Sequence, residues 1–201
     1  MLHLGIMSSE NSDKFGAIIQ YFKSRNDIEI TCISDNLKSD IFNLSKPDFV
    51  STKYLSPENA LSYFASNNFD LIAIYNYMPK LDDNIYNYGK FINLHFSLLP
   101  AFKGDNAIYR AFESGVKVSG VTIHTITSAH DNEKILAQYP VLISNVMHFD
   151  EFKQSIENIA NLIYPIVIDK ILQNKIFDFQ DLISNKKGCS GSCGGNCGGC
   201  H

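Results

Sequence analysis

The sequence predicts an α/β protein with a mostly parallel central sheet flanked by helices and a later antiparallel or mixed portion. Three observations carry that prediction. Apolar runs of strand character alternate with segments of helical period through the first half of the chain. Residues 69–76, FDLIAIYN, are almost continuously apolar, as a strand covered on both faces must be. Two extended segments, 119–127 and 135–144, then follow each other across a short polar break.

Each element has its own signal. LHLGIM (2–7) reads as the first strand. In 11–25, Phe15, Ile18, Ile19 and Phe22 form one apolar stripe at helical spacing. IEITCIS (28–34) is a second strand. Residues 56–67 open on Ser56 as N-cap with Pro57 at the first helical position. KFINLH (90–95) follows the 69–76 strand. GDNAIYRAFESG (104–115) reads as a helix closed by Gly115. SGVTIHTIT (119–127) sets Val121, Ile123 and Ile126 against Thr122, His124 and Thr127, and ILAQYPVLIS (135–144) is a further strand. Residues 149–175 carry a long helical pattern, with Pro165 as a place for a bend.

Composition narrows the class. The 201 residues are 45% hydrophobic and 19% charged, which suits one globular domain over 1–183. A net charge of −4 argues against a nucleic-acid binder, which needs a basic face. No apolar run approaches ~20 residues, so no membrane span is expected. The N-terminus lacks a basic region and a cleavage site, so the expected location is the cytoplasm. Cys32, alone in an apolar segment, reads as a small buried hydrophobe.

INLHFSLLP (92–100) breaks the pattern. It starts as an apolar strand, yet Asn93 and His95 stand two residues apart, hence on one face, where the strand runs out. In an α/β sheet the carboxyl ends of the strands are where sites form. An amide donor beside an imidazole suits polarising a carbonyl and holding the oxyanion that a nucleophile creates. Taken alone, the pair favours a structural reading, an Asn and a His bonded to loop backbone.

The surroundings change that weighing. Asn93, His95, Ser97-Leu98-Leu99-Pro100, Gly104, the run Gly120-Val121-Thr122-Ile123-His124 and Asp131 together resemble the signature of the folate-dependent formyltransferase family. The strand and turn FDLIAIYNYM and the later LIYP (162–165) are similar to that family as well, and the spacing is similar to its glycinamide ribonucleotide branch, of purine synthesis. The resemblance implies a Rossmann-like fold and a small-molecule amine that attacks the formyl carbon of 10-formyltetrahydrofolate. It implies Asn93, His95 and Asp131 as the catalytic set. Asn93 donates to the oxyanion, and His95, protonated or sharing a proton, assists. Asp131 holds an ordered water and raises the imidazole's proton affinity. Ser97 secures the turn. His124 either lines the cleft or is structural. Tyr77, Met78 and Asn132 fall at folate-contacting positions, and Ser9, Asn11 and Ser12 at substrate-binding ones.

The chain also departs from the family pattern. Where the glycinamide ribonucleotide branch has a Gly-rich phosphate loop, this chain has SSENSDK (8–14), with hydroxyls but also Glu10 and Asp13. Phosphate binding and an ordinary N-cap are both open there. Asn132-Glu133-Lys134 replaces small residues after Asp131, and Ala160 stands where a glutamate contacts the amine region, with Glu157 one turn earlier. Phe96 replaces a frequent proline and faces away from the Asn93/His95 side. These departures leave open another acceptor, such as an amino sugar nucleotide, or a non-catalytic relative with a metal-handling tail.

That tail is 184–201, which holds half of the twelve glycines. Cys189, Cys193, Cys197, Cys200 and His201 are a ligand set for Zn²⁺ or another soft metal, with a reduced cytosolic tail as the alternative.

Overall fold

The computed structural model describes residues 1–11, 13–43, 45–127, 134–178 and 180. Seven strands form one sheet: β1 (Leu2–Met7), β2 (Ile28–Ser34), β3 (Val50–Tyr54), β4 (Leu71–Tyr75), β5 (Phe91–His95), β6 (Val118–Ile126) and β7 (Ile135–Leu142), in the order β3-β2-β1-β4-β5-β6-β7. β1 through β5 run parallel; β6 and β7 are antiparallel to their neighbours. The helices are α1 (Asp13–Phe22), α2 (Ala60–Ser66), α3 (Ala107–Glu113) and α4 (Phe149–Leu172). Among the described residues no helix is long and apolar enough to cross a membrane. The expected tail, 184–201, lies outside the described residues.

The continuous apolar run of β4 is explained by two cores, one on each face. Leu71, Ala73 and Tyr75 join Phe15, Ile18 and Phe22 of α1 and Phe152, Ile156, Ile163 and Val167 of α4. Ile72 and Ile74 join Ala60 and Phe64 of α2 with Leu81 and Ile85. Tyr164 ties α4 to the sheet: its buried hydroxyl lies 2.8 Å from the Ile74 carbonyl oxygen and 3.3 Å from that of Ile92. The LIYP segment is therefore a packing device, with Pro165 inside an unbroken α4. Cys32 is fully buried, and burial pushes its thiol up to about 12, so it is inert at neutral pH.

Several local expectations change. Residues 56–67 begin as a 3-10 turn over Pro57–Asn59, and Ser56 makes no side-chain cap bond. β3 carries no apolar run, because most of its side chains are exposed at the sheet edge. Ile126 does not side with Val121 and Ile123: strict alternation puts it with His124, on the face of the second core. Thr122 and His124 are buried although polar.

Gly120 marks where two segments meet. A Cβ there would lie 2.0 Å from the Tyr139 carbonyl oxygen and 2.9 Å from Leu98. At exposed Gly16 in α1 an added Cβ meets nothing within 4 Å. Gly120→Ala is expected to destabilise by ~1–3 kcal/mol through overpacking, and Gly16→Ala to stabilise by ~0.5–1 kcal/mol. Urea midpoints at unchanged m-value check both.

Candidate active site

Parallel register puts Asn93 beside Ile74 and His95 two residues further on, on the face of the second core and at the end of β5. A cleft of about 260 Å³ opens there, lined by Ile74, Tyr77, Leu81, Tyr86, Asn93 and Ile126 among others. Its walls combine apolar and aromatic side chains with a few polar ones, Lys80, Asp83 and Asn93, the composition of a small-molecule pocket.

Asn93 is fixed from β6. Its Nδ2 lies 3.3 Å from His124 Nε2, and His124 Nδ1 lies 3.1 Å from the Thr125 carbonyl oxygen. A carbonyl only accepts, so Nδ1 carries the His124 proton and Nε2 accepts from the amide. His124 thus orients Asn93, and the amide keeps a second hydrogen to offer.

His95 is held from the loop that follows it. Its Nε2 donates to the Phe102 carbonyl at 3.1 Å, which leaves Nδ1 as the proton-accepting atom of the neutral ring. Burial lowers the imidazole's pKa. The bond to Phe102 opposes this in part, and His124 and the charges of Arg110 and Lys103 add to the lowering. The loop itself is built on Thr122, whose hydroxyl donates to the Ser97 carbonyl at 2.6 Å and accepts the Leu99 N–H at 3.0 Å. Gln138 Nε2 bonds both the Leu99 carbonyl, at 2.9 Å, and Thr122. The buried Ser97 hydroxyl donates to the Ala101 carbonyl at 2.6 Å, a turn-securing bond. Phe96 turns to the opposite face, against the Tyr75 ring.

The segment after β1 sits at the switch point between β1 and β4, where ligands bind in such sheets. Ser9 Oγ donates to Asp35 at 2.7 Å and accepts the Met78 N–H at 2.8 Å, so its one proton is committed. Asn11 is exposed, and its carbonyl accepts the Lys14 N–H. Glu10 accepts from Asn76 Nδ2. Nothing in the sequence around Lys14 singles it out. It is nearly buried, with Nζ 3.1 Å from Asp13, 3.5 Å from Glu157 and 3.6 Å from Glu10. Burial pushes its pKa down, but the hydrogen bond to Asp13 and the charges of Glu157, Asp13 and Glu10 outweigh that and hold it above the ordinary value. Its Nζ lies 6.0 Å from the Tyr75 ring centre, and the Tyr75 hydroxyl donates to Asn161 at 2.8 Å. Ala160 is fully buried, whereas Glu157 reaches this crevice through its ion pair with Lys14.

Of the positions expected to contact folate, Tyr77 lines the cleft, and Met78 is exposed with its backbone N–H donating to Ser9. Asp131, Asn132, Ser12, Cys189, Cys193, Cys197, Cys200 and His201 lie outside the described residues. Among the described residues no group of three or more His, Cys, Asp or Glu is placed to hold a metal.

The family model described as "Formyl transferase" matches residues 6–168. The phosphoribosylglycinamide formyltransferase of Bacillus subtilis is 29% identical over 186 residues, covering 86% of this chain and 95% of the relative. A mitochondrial formyltetrahydrofolate deformylase of Arabidopsis thaliana is 36% identical over 46% of this chain and 28% of its own length. The structure of phosphoribosylglycinamide formyltransferase from Bacillus halodurans superposes with TM-score 0.75 at 26% identity, covering 85% of this chain and 95% of that one.

The lowered His95 pKa has a consequence for stability. Unfolded, the ring titrates near ~6.5; folded, it titrates lower. The unfolded chain takes the proton first, so stability is complete above about 6.5 and falls as pH drops through the folded value. In His95→Gln the unfolding free energy is expected to fall less than in wild type between pH 7.5 and pH 5, read by urea titration at each pH.

Proposed function

Because the chain belongs to the formyl transferase family, we propose that it transfers a formyl group from 10-formyltetrahydrofolate to a substrate amine, with glycinamide ribonucleotide as the acceptor. The observation that carries this reading is Asn93 and His95 side by side at the end of β5, on the face of the cleft, with Asn93 anchored by His124. The aromatic lining of the cleft supports folate as co-substrate. The names of the relatives support the acceptor.

In this mechanism the amine nitrogen bonds to the formyl carbon and the carbonyl electron pair moves onto oxygen. Asn93 Nδ2 donates its second hydrogen to that oxyanion. His95, neutral with Nδ1 open, accepts the proton shed by the attacking nitrogen. The proton then goes to the folate nitrogen as its bond to the formyl carbon breaks. We assign Asp131 the ordered water that carries it and the restoring of proton affinity to His95 that burial removes. The reaction is placed in the cytoplasm. The tail thiols Cys189, Cys193, Cys197 and Cys200 with His201 are proposed, on ligand type and spacing, as a separate soft-metal site such as one for Zn²⁺, on a segment distinct from the 1–183 domain.

A specific observation favours a second acceptor class, an amine without phosphate. The Ser9 proton is committed to Asp35, and Glu10, Asp13 and Glu157 outnumber Lys14 in the crevice. A phosphate dianion entering there meets net negative charge.

The test is formyl transfer with a panel containing glycinamide ribonucleotide, its dephosphorylated riboside and an amino sugar nucleotide. Asn93→Ala is expected to lower kcat by about 10²–10³-fold, and Asp131→Asn or His95→Ala to abolish turnover. Activity unaffected by His95→Ala and Asp131→Asn sinks the mechanism. Preference for the ribonucleotide over the riboside rejects the second class of acceptor.

A further inference from the structure

Arg110 lies on the exposed side of α3 and reaches back over the loop that joins β5 to it. Its guanidinium is used on that loop's backbone. Nη2 donates to the Phe102 carbonyl at 2.8 Å and the Lys103 carbonyl at 2.7 Å, and Nε donates to the Asp105 carbonyl at 3.0 Å. The Phe102 carbonyl is also the one that accepts from His95 Nε2. One backbone oxygen therefore links an exposed arginine to the imidazole of the site.

The loop needs such a clamp. Phe102 has φ 54°, Gly104 φ 90° and Asn106 φ 54°. Left-handed backbone at a residue with a side chain costs ~1–2 kcal/mol, so the loop would relax unless it were held from outside. Thr122 and Gln138 hold residues 97–99 from β6 and β7. The carbonyls of Phe102, Lys103 and Asp105 turn to Arg110. A guanidinium donates through a rigid fork to several carbonyls at once; an ammonium offers a single point.

We propose that Arg110 is a positioning residue for His95: it holds the Phe102 carbonyl so that the ring stays in its Nε2–H tautomer with Nδ1 open for proton transfer. The functional consequence rests on the formyl-transfer reading; the positioning itself does not. The groups acting on His95 are His124 from β6, Arg110 from α3 and Lys103 from the loop, together with Asp131 in its assigned role.

The experiment uses the full chain labelled with ¹⁵N-histidine, as wild type, Arg110→Gln and Arg110→Lys. The His95 signals are identified by their loss in His95→Gln. Ring nitrogen shifts at pH 8 report the tautomer, and kcat and KM for both substrates are measured on the same preparations. Arg110 is exposed, so its replacement opens no cavity, and Arg110→Lys keeps the charge while losing the fork. Wild type is expected to show the Nε2–H tautomer and both variants a mixture. kcat is expected to fall by about tenfold to 10²-fold, as misplaced catalytic groups cost, with each KM changed less than about threefold. A tautomer unchanged in both variants overturns the proposal. A tautomer that depends on Arg110 in a protein without formyl transfer upholds the positioning and removes the catalytic reading alone.

Discussion

The hydroxyl of Thr122 holds together the part of the molecule that matters for chemistry. It is fully buried, where a hydroxyl with unmet partners would be costly. It meets all its partners: it donates to the Ser97 carbonyl and accepts from the Leu99 N–H and Gln138 Nε2. Those three bonds come from one loop and one neighbouring strand. They seat the loop after β5 against β6, and the absence of a side chain at Gly120 gives the Tyr139 carbonyl and Leu98 the room they occupy. From that seated loop comes the Phe102 carbonyl that holds His95. Motif residues with no contact to a reacting atom are thus explained by what they hold.

The switch-point crevice follows a different logic. Among the described residues there, polar groups are satisfied by one another: Ser9 by Asp35 and Met78, Glu10 by Asn76 and Lys14, Tyr75 by Asn161. A buried ammonium with several carboxylates is a network in which removing one partner leaves an uncompensated charge, so it resists piecemeal change. A ligand entering this crevice competes with those internal bonds. Binding there is governed by exchange of partners.

Legibility in the sequence divided along physical lines. β4 and β5 were readable because both faces are buried and every position in β4 is apolar. β3 was not, since an exposed edge strand with Lys53 and Thr52 carries no periodic signal. Ile126 lies with His124 on the second core's face because alternation continues to the end of β6, where an apolar residue need not share the face of Val121 and Ile123. Asn93 and His95 were legible because two polar residues interrupt a buried strand. Lys14, Gln138 and Arg110 were not: their importance comes from partners such as Glu157, Leu99 and Phe102, brought to them by the fold. No window of sequence around Arg110 reports that a carbonyl eight residues earlier is shared with His95.

The two regions lie on opposite faces of one sheet. Asn93 and Ile74 face the cleft with α2, and Tyr75, one residue along, faces α1 and α4 with Lys14 near its ring. A donor bound in the cleft and an acceptor bound in the crevice would be separated by the sheet itself everywhere except at its carboxyl edge. There β4 ends at Tyr75 and β5 at His95, and only side chains and loops stand between the two faces. A group transferred between such ligands has to cross that edge. The last residue of β5, His95, stands at that edge. The polar interruption in a buried strand is a consequence of where the two faces meet.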